Sequence, residues 1–197
     1  MKKLIIVCEE KYRVYGDYLA QLISLEDDTD DNTIGIKDGE VAAQVWTEKD
    51  YNSNAAQISS AQYIVFIGNK KLIREKSSHM QVKFSEFGMT YGWLGKQAAL
   101  TVNKSISANE YDDFLSYALQ YQNDLKQLIT IKEKKTKQGK DEKSEGKIAL
   151  INALPVAIAP VAGVFKSITL NKKIEAQQFS CAVMKFYLDA LGEFLGM

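Results

Sequence analysis

Three short apolar runs constrain this chain more than anything else in it. They are "KLIIVC" at residues 3–8, "YIVFIG" at 63–68 and "AALTV" at 98–102. Apart from Lys3 and Thr101 each is apolar, as in a strand covered on both faces, and too short for a buried helix. Strands of that kind belong to parallel sheets, whose crossovers place helices on both faces.

The segments between the runs supply those helices. In "YRVYGDYLAQLISL", Tyr15, Tyr18, Leu19, Leu22 and Ile23 share one helical face. "TIGIKDGEVAAQVW" reads as one or two strands around a Lys37-Asp38-Gly39 turn, and "NSNAAQISSAQ" as a short helix. "NKKLIREKSSHMQVKFS" reads as a polar, basic loop with a helical turn. "SANEYDDFLSYALQYQNDLKQLITI" is a long helix, capped by Ser107 or Asn109, with a stripe of Tyr111, Phe114, Leu115, Ala118, Leu119, Leu125 and Leu128. The alternation predicts an α/β fold, a flavodoxin-like or TIR-like parallel sheet with flanking helices, over residues 1–130. A charged linker over 131–147 and an apolar helical tail over 148–197 follow.

Composition narrows the function. Lys plus Arg and Asp plus Glu are balanced at 25 each, so no nucleic-acid partner is expected. The chain holds two cysteines, Cys8 and Cys181, and one histidine, His79. A structural zinc site needs about four such ligands, so no metal is expected, and the low cysteine content suits the cytoplasm. Both cysteines read as core residues and His79 as an exposed loop residue. Neither a Walker pattern nor GxGxxG is present, and the serines and threonines of a flavin site are missing after the first strand, so no cofactor is expected. The stretch 148–165 carries no charge and both prolines. It is near the lower limit of about 17 residues for a spanning helix, so it reads as a membrane-associating segment, a buried tail helix or an oligomerisation segment covering an apolar face of the first domain.

Ligands of open α/β sheets bind beyond the carboxyl ends of the strands. That rule selects Cys8, Glu9, Glu10, Lys11 and Tyr12 after the first strand, Trp46 after the second, and Gly68 and Asn69 after the third. It also selects "FSEFGMTYGWLGKQAALTV", residues 84–102. Here a helix is expected to open at Ser85 as N-cap and to place Glu86 in its first turn, ionised by the helix dipole. Gly88 beside it would let a ligand approach the backbone, and Gly95-Lys96 would end the helix.

The segment 86–102 resembles the glutamate-glycine stretch of nucleoside 2-deoxyribosyltransferase-like proteins, and the order of elements is similar to that of TIR domains. Thr90 stands where those transferases have alanine and Gln97 where they have proline. "GNKKLIREK" lacks their aspartate, and "QVKFSE" lacks the TIR cysteine. The resemblance implies cleavage of an N-glycosidic bond in NAD or a deoxynucleoside, with Glu86 as nucleophile or charge stabiliser. It makes a nucleotide or nucleoside the expected small-molecule partner of a homo-oligomeric protein. The competing expectation is a non-catalytic nucleotide-sensing or interaction module, whose tail mediates assembly or membrane attachment.

Overall fold

The structure, a computed structural model, describes residues 1–24, 41–103, 106–135 and 170–197. The acidic loop 26–32, the first part of the 33–46 run, the linker beyond residue 135 and the apolar run 148–165 lie outside the described residues.

The chain is α/β. Six strands form one sheet: β1 (Lys2–Cys8), β2 (Val41–Thr47), β3 (Tyr63–Ile67), β4 (Gln81–Glu86), β5 (Met89–Leu94) and β6 (Gln97–Val102), in the order β2-β1-β3-β6-β5-β4. The first four in that order run parallel, and β5 and β4 add an antiparallel hairpin at one margin. The three apolar runs supply β1, β3 and β6, which occupy the interior of the sheet, as their lack of polar alternation requires.

Side chains of the central strands alternate between two cores. Leu4, Ile6, Cys8, Val65, Ile67, Ala98 and Leu100 face α1 (Arg13–Ile23), α4 (Ala108–Lys135) and the C-terminal helix α5 (Leu170–Lys185). Ile5, Val7, Ile64, Phe66 and Ala99 face α2 (Glu48–Asn54) and α3 (Lys71–Ser78). The first crossover, through α1, steps from β1 to β2. The second, through α2, passes back over β1 to β3 on the opposite face, as right-handed connections demand.

Local chemistry sets the helix ends. Thr47 and Asp50 form a capping box at α2, the Thr47 hydroxyl accepting from the Asp50 N–H at 3.2 Å. Ser107 precedes α4, and its hydroxyl donates to Glu110 Oε2 at 2.8 Å.

The helix α5 continues through one π turn (Phe186–Ala190) into α6 (Leu191–Leu195). Residues 177–184 are buried without interruption, which a helix achieves only when it is covered on every side. It packs on β5 and β6, between α1 and α4. Lys2 Nζ donates to Leu195 O, and the Tyr63 hydroxyl donates to the same carbonyl at 3.1 Å, holding the last turn against the start of the sheet. The boundary drawn at residue 148 therefore does not separate this helix from the α/β core. Among the described residues, no helix is long and apolar enough to cross a membrane.

Close packing of α1 on β1 rests on Gly16. A Cβ there would overlap Cys8 Sγ and come within 3.3 Å of Ile6 Cγ2 and Val45 Cγ1. We expect Gly16→Ala to destabilise the fold by about 2 kcal/mol, read as a lower urea midpoint at unchanged slope. Adding Cys8→Ala should recover part of that loss; unchanged stability of the single variant would contradict this helix placement.

Candidate functional site

The sheet order reverses between β1 and β3, so the carboxyl ends of these strands flank a topological switch point. Glu9 stands there, directly after β1, and is 0% exposed. Its backbone N–H donates to Ile67 O at 3.3 Å, and its carboxylate Oε1 accepts from the Lys70 N–H at the N-terminus of α3. The other oxygen, Oε2, has no partner among the described residues.

The loop after β3 is shaped around this carboxylate. Gly68 has φ +152°, and a Cβ on it would fall 2.6 Å from Glu9 Cδ, so only glycine fits. Asn69 Oδ1 accepts the Val102 N–H at 3.0 Å, tying the loop to β6. Burial pushes the Glu9 carboxyl above the usual carboxylate range, and the N–H groups of Lys70 and Asn69 pull it partly back. The carboxylate thus lies at the entrance of α3, where the helix end favours negative charge.

Lys11 and Tyr12 follow on a single 3₁₀ turn (Glu10–Tyr12) and join the C-terminal helix. The Tyr12 hydroxyl donates to Glu175 Oε1 at 2.5 Å, and the Lys11 ammonium lies 3.4 Å from the same oxygen. The Tyr12 ring packs on Phe179, centroids 4.5 Å apart. Burial pushes the thiols of Cys8 and Cys181 up to about 12, so both stay protonated packing groups at neutral pH, as the sequence suggests. Trp46 packs at the margin of the core under α2 and α3.

Glu86 requires a correction. The helix expected from Ser85 does not form: residues 81–86 are β4, Phe87 and Gly88 make a two-residue turn, and 89–94 are β5. The turn has φ +49° at Phe87 and +70° at Gly88, both positive as in the turns that join tight hairpins. Met89, Tyr91 and Trp93 alternate onto the core, and a helix through Gly88, Gly92 and Gly95 would forgo that burial and pay for three glycines. Gly92 is also needed in β5, because a Cβ would strike the Gln81 carbonyl of β4. Gly88 is thus a turn residue, and Ser85 caps no helix.

Glu86 is exposed and pairs with Met89 across the hairpin. It lies on the same sheet edge as Glu9, but four strand spacings away, about 19 Å. Among the described residues its side chain makes no hydrogen bond or ion pair. The hairpin tip is pinned: Phe87 O accepts from Gln178 Nε2 at 2.7 Å, and Gly88 O from the Asn103 N–H at 2.8 Å. The structure therefore brings Cys8, Glu9, Gly68 and Asn69 together, links Lys11 and Tyr12 to α5, and leaves Trp46, Glu86 and Gly88 apart. Sequence reasoning missed Glu175, Gln177 and Gln178. Their one signal is the polar stretch "EAQQ" just ahead of the apolar run that begins at Phe179.

No protein-family model matches this sequence, and no curated protein or solved structure matches it. Among the described residues no cluster of three His, Cys, Asp or Glu side chains is placed to hold a metal ion.

Glu9 carries the site's main electrostatic cost. Its folded pKa lies above the unfolded value, so the charge opposes folding increasingly as pH rises through that window. Glu9→Gln keeps an oxygen for the Lys70 N–H and removes the charge. We expect its Tm to exceed wild type by roughly 3 °C at pH 7, with the difference vanishing near pH 4. A lower Tm at pH 7 would show that the ionised carboxylate is needed.

Proposed function

We propose that this chain is a non-catalytic ligand-sensing or interaction module. The observation that carries the reading is the filled crevice: at the switch point, Glu9 takes the anion position at the entrance of α3, and Gly68 is pressed against it. A cofactor or nucleotide phosphate entering there would have to displace a fully buried carboxylate.

Glycosidic chemistry needs a carboxylate positioned against the sugar in a site that excludes water. Among the described residues Glu86 stands on an exposed margin strand, where an attacking carboxylate would remain hydrated. Glu9 is buried and oriented, but its accepting oxygen is committed to α3 and its protonation is favoured by burial. The remaining hydrogen bonds at this sheet edge, through Asn69, Asn103 and Gln178, each bind one backbone segment to another. They are the bonds of a closed scaffold.

The test is a base-release assay. Purified chain is incubated with NAD and with deoxynucleosides, and free base is followed by chromatography for wild type and Glu86→Gln. We expect no release above the buffer rate by either protein. Release by wild type that is lost in Glu86→Gln would overturn the reading and restore the enzyme.

A further inference from the structure

The opposite edge of the sheet carries a feature that the closed crevice does not. On the α2/α3 face, a groove of about 670 Å³ opens at the amino end of β3. That volume suits a small organic ligand. Its walls come from α2, the segment 55–62, the end of α3 and the β5–β6 turn. Tyr51, Ile58 and Met80 give it an apolar side, and Lys76, His79 and Lys96 give it basic groups. No Asp or Glu is among the lining residues.

Among the described residues neither lysine is in an ion pair. Lys76 Nζ lies 5.8 Å from the Tyr51 ring centroid and 5.5 Å from that of Phe66. The neighbouring Glu75 is paired instead with Lys71, at 3.8 Å. Lys96 Nζ donates to the carbonyls of Ser60 and Ala61 at 3.2 and 3.4 Å, and lies 5.5 Å from the Tyr63 ring centroid. Rings and backbone carbonyls hold these ammonium groups in place, and they carry no opposite formal charge. Lys76 and Lys96, from different elements, both line this partly apolar hollow, whose described lining holds no acid, so an anion bound there would meet positive charge. The flat side chain of Tyr51 and the soft thioether of Met80 suit an aromatic body.

We propose that this groove binds a small aromatic anion, an aryl or heteroaryl ring bearing a phosphate or carboxylate. Lys76 and Lys96 take the charged group, and Tyr51 and Met80 take the ring. This rests on the reading of the chain as a binding module and names the ligand class of that module. The site lies away from Glu9 and Glu86, so its occupancy and the base-release result are separate outcomes.

The experiment is isothermal titration of the intact chain with AMP, phenyl phosphate, benzoate, inorganic phosphate and adenosine. Wild type should bind at least one of the three aromatic anions at submillimolar Kd. Adenosine and inorganic phosphate, each lacking half of the recognised chemistry, should bind at least about tenfold more weakly. Phenyl phosphate against benzoate distinguishes the two charged groups. Lys76→Gln should weaken the bound probe by about tenfold at unchanged Tm, and Lys96→Gln similarly, with Lys96→Arg restoring binding. Failure of all three aromatic anions, or binding indifferent to both lysine variants, would overturn the proposal. If base release is also absent, the module reading survives that failure; if base is released through Glu86, the module reading falls whatever the groove binds.

Discussion

Burial of the C-terminal helix on the sheet is the interaction on which the remaining structure depends. Phe179, Cys181, Ala182, Val183, Met184 and Phe186 are each 0% exposed, and full burial of a large apolar side chain is worth roughly 1.5–3 kcal/mol. The aromatic groups interlock: Tyr12 and Tyr15 pack on Phe179, and Tyr91 and Trp93 pack on Phe186. Without this helix, one face of β5 and β6 and the inner side of α1 would be bare. The same helix supplies Glu175 to Tyr12 and Gln178 to the hairpin tip, so it also fixes the carboxyl edge of the sheet.

At that edge an acid directly after β1 meets the entrance of a helix that follows β3. The entrance of α3 offers N–H groups and a positive dipole end, and Glu9 accepts them at the cost of its own desolvation. A few residues on, α3 ends beside the basic groove, so one helix links the closed edge to the open one.

Legibility from sequence followed the strength of the local pattern. The runs at 3–8, 63–68 and 98–102 are unambiguous because burial on both faces leaves no polar position, and they became β1, β3 and β6. The stripe of Tyr15, Tyr18, Leu19, Leu22 and Ile23 is buried as its spacing requires. In α4 the stripe holds at Phe114, Ala118 and Leu125, whereas Leu119 lies at its exposed border and Gln122 is buried in its place. "FSEFGMTYGWLG" was misread because its glycines suit either a weak helix or a hairpin, and only cross-strand pairing with β6 decides between them. The expected short helix around 52–62 forms earlier, at Glu48–Asn54, where the Thr47–Asp50 box nucleates it. Glu9 was legible as a candidate, but its role was not, since the groups that enclose it come from Gly68, Asn69 and Lys70, about sixty residues away. Partnership between residues 12 and 175 has no local signal at all.

Amide hydrogen exchange on the intact chain tests the central claim most directly. If the C-terminal helix completes the core, amides of residues 179–186 exchange only with global unfolding, at the same free energy as those of residues 4–8 and 64–67. Exchange of 179–186 at a free energy several kcal/mol lower, while β1 and β3 stay protected, would show an appendage on a self-sufficient sheet and contradict the account.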